Sequence, residues 1–150
     1  MPGTALRIPT DLLLGACLRS DTLGGTLSKY ARAFSLQTTF TALATGHAQI
    51  EQRLARWLVM VHDRVDGDSF TITHDLLSLM LGVRRQGVTV ALQILEGDHL
   101  IKSTCGTIEI KDREGLIEAG EGTYGPAEVE YRRLMGFNVV RPASDFVEAT

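Results

Sequence analysis

The longest helical pattern in the sequence begins at the Ser20-Asp21 pair, a typical helix start signal. Apolar residues then recur every three or four positions, which places them on one helix face. They are Leu23, Leu27, Tyr30 and Phe34, and the stripe continues through Gln37, Thr41 and Ala44, with Leu36, Phe40 and Leu43 on a neighbouring face. Such a helix is either the core of a single domain or a dimerising helix, and its length favours dimerisation.

Shorter helical patterns flank this long helix. The apolar run at residues 12–18 predicts one or two helical turns before it, and Gly46 marks a break or hinge after it. Beyond the break, the pattern predicts an amphipathic helix that packs Trp57 inward, with its charged residues elsewhere on the helical wheel. The apolar positions are Ile50, Leu54, Trp57, Leu58 and Val61, and the charged ones are Glu51, Arg53, Arg56 and Arg64.

The segment DRVDGDSF follows, and its Asp66-Gly67-Asp68 sequence raises the question of a calcium loop. The calcium-binding loop of an EF-hand needs ligands at alternate positions before the glycine and a glutamate six residues after it. The residues around Gly67 do not meet this pattern. The segment is therefore interpreted as a turn.

Two helices joined by a tight corner are predicted next, followed by a β-hairpin. Thr71 and Thr73 precede a short helix from Asp75 to Leu81, and Gly82 ends it. Three residues, 81–83, separate this helix from the next, which is a length typical of a helix-turn-helix corner. Two β-rich runs, 100–103 and 107–111, are joined by Thr104-Cys105-Gly106 and form the hairpin.

The second helix of the corner, within GVRRQGVTVALQIL, has two faces. Its apolar positions predict a buried face, and its polar positions predict an exposed one. The buried set is Val88, Ala91, Leu92 and Leu95, and the exposed set is Arg85, Gln86, Thr89 and Gln93. Arg and Gln side chains can form two hydrogen bonds with guanine or adenine edges, although any solvated helix face also carries such residues. Gly87 is expected where a side chain would strike the first helix or a phosphate backbone.

The amino-acid composition is typical of a soluble protein with a small net charge. Of the 150 residues, 44% are hydrophobic and 22% are charged, and no apolar run reaches the roughly 20 residues of a membrane helix. The amino terminus is a poor match to a secretory signal, so we predict a cytoplasmic protein without membrane contact. The formal net charge of −3 argues weakly against nucleic-acid binding. The acidity lies in residues 112–150, which hold four Lys/Arg and eight Asp/Glu.

The cysteine and histidine residues do not suggest special chemistry. Cys17 and Cys105 are far apart and are expected to be reduced, unrelated thiols rather than a disulfide or a metal site. The four histidines lack a metal-ligand spacing. No nucleophile-base pair, carboxylate pair or cofactor loop is recognisable, so neither a cofactor nor an enzyme activity is predicted.

The run from Ile50 to Leu116 resembles the C-terminal DNA-binding domain of the Crp/Fnr family of transcription regulators. The resemblance rests on IEQRLARWLVMVHDRV, on FTITHDLLSLMLGVRRQGVTVALQILEGDHLIK and on GTIEIKDREGL. The helix from Ser20 to Thr45 also resembles that family's dimerisation helix. The resemblance implies a mainly α fold with a small β-hairpin, in which a long dimerisation helix is followed by a winged helix-turn-helix domain.

The resemblance also implies contacts with double-stranded DNA. Arg84, Arg85, Gln86 and Thr89 fall in the half of the recognition helix that contacts base edges and phosphates in the family, and Thr73 caps the preceding helix near the DNA backbone. Val90 stands where some relatives place a base-reading arginine, and an apolar contact with a thymine methyl would be allowed there. Lys102 and Lys111, with Arg84, are expected mainly to neutralise phosphates.

The expected domain organisation departs from the family at the amino terminus. Residues 1–19 are interpreted as the end of an effector domain that is otherwise lacking, so we do not expect a small-molecule effector to bind this chain. Residues 20–46 are the dimerisation helix, 47–116 the winged helix-turn-helix domain, and 117–150 an acidic C-terminal tail. The AGEGTYG sequence within the tail lacks the features of a phosphate loop and is interpreted as a flexible segment.

The leading hypothesis is a homodimeric, sequence-specific DNA-binding regulator paired through Leu23, Leu27, Tyr30 and Phe34. Two recognition helices about 34 Å apart would then enter successive major grooves. The alternative is a protein-interaction module that keeps the fold but heterodimerises with a full-length relative or another partner. The neutral middle segment and the acidic C-terminal segment favour this alternative somewhat.

Overall fold

The computed structural model describes residues 4–136. Within them, a long helix precedes a compact helical unit that contains a small antiparallel sheet, and a last helix returns to the long one. In chain order the elements are α1 (Thr10–Arg19), α2 (Asp21–His47), α3 (Ile50–His62), β1 (Ser69–Thr71), α4 (His74–Leu81), α5 (Arg85–Gly97), β2 (Ile101–Thr104), β3 (Thr107–Ile110), α6 (Arg113–Ala119) and α7 (Pro126–Met135).

The helix starts follow the side chains that cap them. Ser20 begins α2 by accepting a hydrogen bond from the backbone N–H of Leu23 at 3.2 Å, and Thr73 begins α4 by accepting one from Leu76 at 3.2 Å. These caps satisfy backbone donors that the first helical turn leaves without a partner. The predicted start of α2 is confirmed, and α4 begins at His74, one residue before the predicted Asp75.

The sheet has three strands in the order β1-β3-β2, whereas the sequence patterns predicted a two-stranded hairpin. The hairpin is confirmed, with a two-residue loop at Cys105 and Gly106, both of which have positive φ. Such a loop matches the twist of the flanking strands. The additional strand, β1, pairs with β3 and brings Phe70 opposite Ile108. Phe70 is thereby buried in the core.

The core lies where α3, α5 and α6 meet the inner face of the sheet. Its completely buried side chains are aliphatic and come from elements far apart in sequence, which is typical of one cooperative unit. The largest of them are Leu54, Leu58, Leu77, Leu95, Ile108 and Leu116. Trp57 packs partly buried against this cluster, as predicted.

Arg56 is placed differently from the sequence prediction. The helical wheel put it with the charged residues away from the apolar face of α3, but its exposed fraction is only 3%. Packing of α2 and of the loop after α6 covers it, because its guanidinium contacts Thr41 and Thr123. A helical wheel describes one helix alone and takes no account of other segments that pack over it.

The predicted tail beginning at residue 117 is wrong for residues 117–136. Helix α6 continues to Ala119, Tyr124 in the AGEGTYG segment is buried, and Pro126 starts α7. Helix α7 packs against α2, and Ala33 of α2 and Ala127 of α7 are both buried. The rest of the predicted tail, 137–150, lies outside the described residues.

Candidate nucleic-acid interface

Helix α5 presents the two faces that its sequence pattern predicts. Val88, Ala91, Leu92 and Leu95 are all buried against the core, so the predicted buried face is confirmed. The opposite face begins at the first helical residue, Arg85. Of the predicted polar residues, Arg85, Gln86 and Gln93 are exposed and Thr89 is half-buried. The helix is therefore fixed along one side and open to a partner along the other.

The corner between α4 and α5 is closed by Gly82. Its φ of +64° and ψ of +36° lie in the left-handed region, where glycine carries no steric penalty. The connection consists of residues 82–84 rather than the predicted 81–83, because Leu81 is still part of α4 and α5 begins at Arg85. This corner exposes Arg84 immediately before α5.

The first turn of α5 is connected to α4 by polar contacts. The Thr89 hydroxyl donates to the carbonyl of Arg85 at 3.2 Å and lies 3.3 Å from Nδ1 of His74. The Arg85 guanidinium lies 3.5 Å from the Asp75 carboxylate, and both side chains are mostly exposed. An exposed ion pair of this kind contributes little to stability, so a stronger acceptor can displace Asp75 from Arg85.

The hairpin carries the two predicted phosphate-contacting lysines on its exposed surface. Lys102 of β2 lies opposite Glu109 of β3, and Lys111 directly follows β3. Nζ of Lys111 is 2.7 Å from the Glu109 carboxylate. Glu109 therefore reduces the positive potential of the hairpin.

All eight residues predicted to contact DNA lie at or near the surface. Only Thr89 is half-buried, and Val90 has an exposed fraction of 55%, which is high for an apolar side chain on a packed helix. The others are exposed: Thr73, Arg84, Arg85, Gln86, Lys102 and Lys111. Four of the eight, Arg85, Gln86, Thr89 and Val90, share α5, and Arg84 immediately precedes it. Thr73 belongs to the start of α4, and the two lysines to the hairpin.

The structure explains why residue 87 is a glycine, but the neighbouring side chain does not belong to α4, the first helix of the corner. A Cβ atom at this position would lie 3.2 Å from Cδ1 of Ile50, at the start of α3. That distance is tight, although the end of an isoleucine side chain can move slightly. The glycine therefore permits α5 to approach α3 closely.

Sequence patterns missed a buried polar cluster centred on Arg113, the first residue of α6. Its Nη2 donates to Oδ1 of Asp63 at 2.6 Å and lies 3.1 Å from the Tyr124 hydroxyl, which donates to Oδ2 of Asp63 at 2.7 Å. Nη1 of Arg113 lies 3.1 Å from Nδ1 of His62, and Nε2 of His62 lies 2.9 Å from Asp68. Since arginine only donates, Nδ1 accepts and Nε2 donates to Asp68.

The Arg113 cluster connects three separate parts of the chain: the end of α3, the start of α6 and the loop before α7. Burial and the hydrogen bond to Asp63 raise the pKa of Tyr124 above its ordinary value, so the phenol stays protonated. A buried ion pair with its remaining polar atoms satisfied favours one arrangement of the chain over alternatives. In the sequence, Arg113 is one charge in a run of charges, and no local signal marks it as buried.

Comparisons with known proteins agree with this geometry. A family model described as "Crp-like helix-turn-helix domain" matches residues 52–119. The match begins within α3 and covers the corner, the hairpin and α6. Residues 52–119 form a Crp-like helix-turn-helix domain. The candidate interface on α5 and the hairpin thus lies within the Crp-like helix-turn-helix domain.

Two solved structures resemble the Crp-like domain and its surroundings. A transcriptional regulator of the Crp/Fnr family from Eubacterium rectale matches with a TM-score of 0.61 and 19% identity, over 77% of this chain and 53% of its own. A CRP-family transcriptional regulator from Thermus thermophilus matches with a TM-score of 0.53 and 17% identity, over 59% of this chain and 48% of its own. The chain spans about half the length of these structures. No curated protein matches it.

Two further searches of the described residues concern membranes and metals. Among residues 4–136, no helix is both long and apolar enough to cross a membrane. In the same part of the chain, no group of three or more His, Cys, Asp or Glu residues is arranged to hold a metal ion. Cys17 and Cys105 are free thiols.

Proposed function

We propose that the chain is a sequence-specific DNA-binding regulator that acts as a homodimer. The observation that carries this proposal is the exposed face of α5, where Arg85 and Gln86 stand in the first helical turn of the second helix of the corner. Residues at that position of a recognition helix reach base edges in the major groove. Arg can pair with guanine and Gln with adenine through two hydrogen bonds.

Other residues of the interface have distinct proposed roles. Val90, which is exposed beside the polar residues, suits an apolar contact with a thymine methyl. Thr73 and Thr89 are proposed to supply hydroxyls to the DNA backbone. Arg84, Lys102 and Lys111 contribute positive charge that neutralises phosphates and adds affinity without sequence information.

The dimer is proposed to form through α2. Leu23, Leu27, Tyr30 and Phe34 repeat along one side of this helix, and each is more than a third exposed in the single chain. Tyr30 and Phe34 stack with ring centroids 6.3 Å apart, which gives a continuous aromatic surface. Burying this stripe against a second α2 would remove it from water. Two recognition helices would then face successive grooves.

Selection of bound DNA from a random-sequence pool, followed by mobility-shift titration of the selected site, tests the proposal. Arg85→Ala should weaken binding of the selected site by about 1–3 kcal/mol and relax the preference at one base pair. Lys102→Ala should weaken selected and unrelated sequences alike, and should reduce the dependence of affinity on salt. If Arg85→Ala left base discrimination unchanged, Arg85 would not read a base.

A second candidate function is a protein-interaction module that pairs through α2 with another protein and does not bind DNA on its own. The Arg85–Asp75 and Lys111–Glu109 pairs favour it, because each places a carboxylate beside a cation of the candidate interface. Sedimentation of the chain as a stable dimer, together with failure to select any DNA at low salt, would support this candidate over the first.

A further inference from the structure

Two carboxylates lie on the candidate DNA-binding surface, each beside a cation of that surface. The Asp75 carboxylate, in the first turn of α4, lies 3.5 Å from Nη1 of Arg85. The Glu109 carboxylate, on β3, lies 2.7 Å from Nζ of Lys111. A negative charge at such a surface repels the phosphates of DNA, so each carboxylate would lower the affinity for every sequence. The two carboxylates differ, however, in the cation that each one accompanies.

Asp75 accompanies the arginine that is proposed to read a base, whereas Glu109 accompanies a lysine that is proposed to contact phosphates. The side chains of Asp75 and Arg85 are 75% and 68% exposed, respectively. An exposed pair of this kind changes an equilibrium by about 5-fold at most. That effect is too small to decide the fold, but it is large enough to change the choice of Arg85 between two binding partners.

The backbone at the start of α5 is held independently of this ion pair. The carbonyl of Arg85 accepts a hydrogen bond from the Thr89 hydroxyl at 3.2 Å, and this hydroxyl lies 3.3 Å from Nδ1 of His74. His74 and Asp75 are consecutive residues at the start of α4. The first turn of α4 therefore contacts α5 through Thr89 and also through the Arg85 guanidinium. The second contact acts on the conformation of the arginine side chain.

The position of Asp75 leaves one edge of the Arg85 guanidinium for DNA. Asp75 lies beside Nη1, and the edge formed by Nε and Nη2 can still donate two parallel hydrogen bonds. O6 and N7 of guanine accept such a pair of bonds and carry no net charge. A phosphate bound to the same guanidinium would bring a full negative charge close to the Asp75 carboxylate. Asp75 therefore disfavours a phosphate at Arg85 more than it disfavours guanine.

We propose that Asp75 is a specificity-determining residue, which positions the Arg85 guanidinium for guanine and disfavours its contact with phosphates. The inference rests on the proposed DNA-binding function and adds a residue whose charge lowers affinity while it raises selectivity. Unfavourable contacts with the wrong partner are a general source of specificity. Glu109 lowers affinity through the same repulsion, but it adds no base preference because it lies beside a lysine that contacts phosphates.

Mobility-shift titrations of two DNA duplexes at one salt concentration test the proposal. One duplex carries the site selected by the wild type, and the other carries the same site with the base pair read by Arg85 replaced. That base pair is the one at which Arg85→Ala relaxes the preference. Asp75→Asn should raise the affinity for the replaced site more than for the selected site, so that the ratio of the two affinities falls about 2–5-fold. Both affinities are measured on one protein, so a change in the stability of α4 cancels in the ratio.

Glu109→Gln is the matched control, because it removes the same charge from the same surface. It should raise both affinities by a similar factor and leave their ratio unchanged. In the Arg85→Ala background, Asp75→Asn should no longer alter the ratio, since the guanidinium that it positions is gone.

Three results would overturn the role of Asp75 while the proposed DNA binding stands. They are an unchanged ratio in Asp75→Asn, an equal fall of the ratio in Glu109→Gln, and a fall of the ratio that persists in the Arg85→Ala background. Failure of the wild type to select any DNA at low salt would overturn both the proposed function and this inference.

Discussion

The buried cluster around Arg113 gives the sharpest test of the structure through the single change Tyr124→Phe. The substitution keeps the aromatic ring, which is buried and lies beside the Arg113 guanidinium, and removes only the hydroxyl. That hydroxyl donates to Oδ2 of Asp63 at 2.7 Å and lies 3.1 Å from Nη2 of Arg113. The change therefore removes a hydrogen-bond donor from a carboxylate whose side chain is only 1% exposed.

The expected loss of stability follows from these contacts. A hydrogen bond to a charged group contributes about 1.5–3 kcal/mol, and the buried Asp63 oxygen has no access to water as a replacement. We expect the free energy of unfolding to fall by about 1.5–3 kcal/mol. For a chain of this length, that corresponds to a decrease in Tm of about 3–12 °C. Removing Asp63 or Arg113 itself should cost more, about 3–5 kcal/mol, because a buried charge would lose its partner.

Urea unfolding followed by circular dichroism measures this loss directly. Tyr30→Phe is the matched control, because it removes the same hydroxyl from a half-exposed ring and keeps the apolar surface of α2. All proteins are compared at one concentration, since self-association would make stability concentration-dependent. The control should change stability by less than about 0.5 kcal/mol. A similarly small effect of Tyr124→Phe would refute the assigned hydrogen bonds.

Three other predictions concern pH, the corner and the dimer. The pKa of Tyr124 is raised in the folded state, so the stabilising contribution of the protonated Tyr124 hydroxyl is complete below the pKa of about 10 that tyrosine has in the unfolded chain. This contribution decreases as the pH rises further. The difference in urea stability between wild type and Tyr124→Phe should therefore shrink above about pH 10. Gly82→Ala should lower the free energy of unfolding by about 1 kcal/mol in the same assay, because residue 82 has a φ of +64°, and Gly82→Asn should lower it less. Equal stabilities of the two variants and wild type would contradict the left-handed conformation. Leu27→Glu, at an exposed position of α2, should convert a dimer to a monomer in sedimentation while helicity is kept, and unchanged sedimentation would exclude this face as the interface.

Periodicity predicted the parts of the fold in which one helix packs one face against the core. In α5, the spacing of Val88, Ala91, Leu92 and Leu95 defines a single direction, and the same four residues are buried. The caps Ser20 and Thr73 were predictable because their effect is confined to the next helical turn. The exposed positions of the candidate interface follow from the same local rules.

Elements defined by distant partners were not predictable in this way. Strand β1 has three residues, too few to show an alternation, and it exists because β3 supplies its hydrogen-bond partners from about forty positions later. In the sequence, Arg56 and Arg113 look like solvent-exposed charges. Arg56 is buried by α2 and by the loop after α6, and Arg113 is covered by Tyr124 of the same loop. Tyr124 and α7 were assigned to a tail because glycine and acidic residues dominate the composition there.

The return of α7 to α2 gives the Crp-like domain two points of attachment. The chain leaves α2 at Ala48, passes through the whole Crp-like domain and comes back to pack α7 against α2. Ala33 and Ala127 are buried, and the Arg32 and Glu130 side chains are 3.8 Å apart. A unit held at one end can swivel about its connecting residue, whereas a unit held at both ends can turn only if the second contact slides or opens. The position of the Crp-like domain, and of α5 within it, is therefore coupled to α2 at two places along the chain.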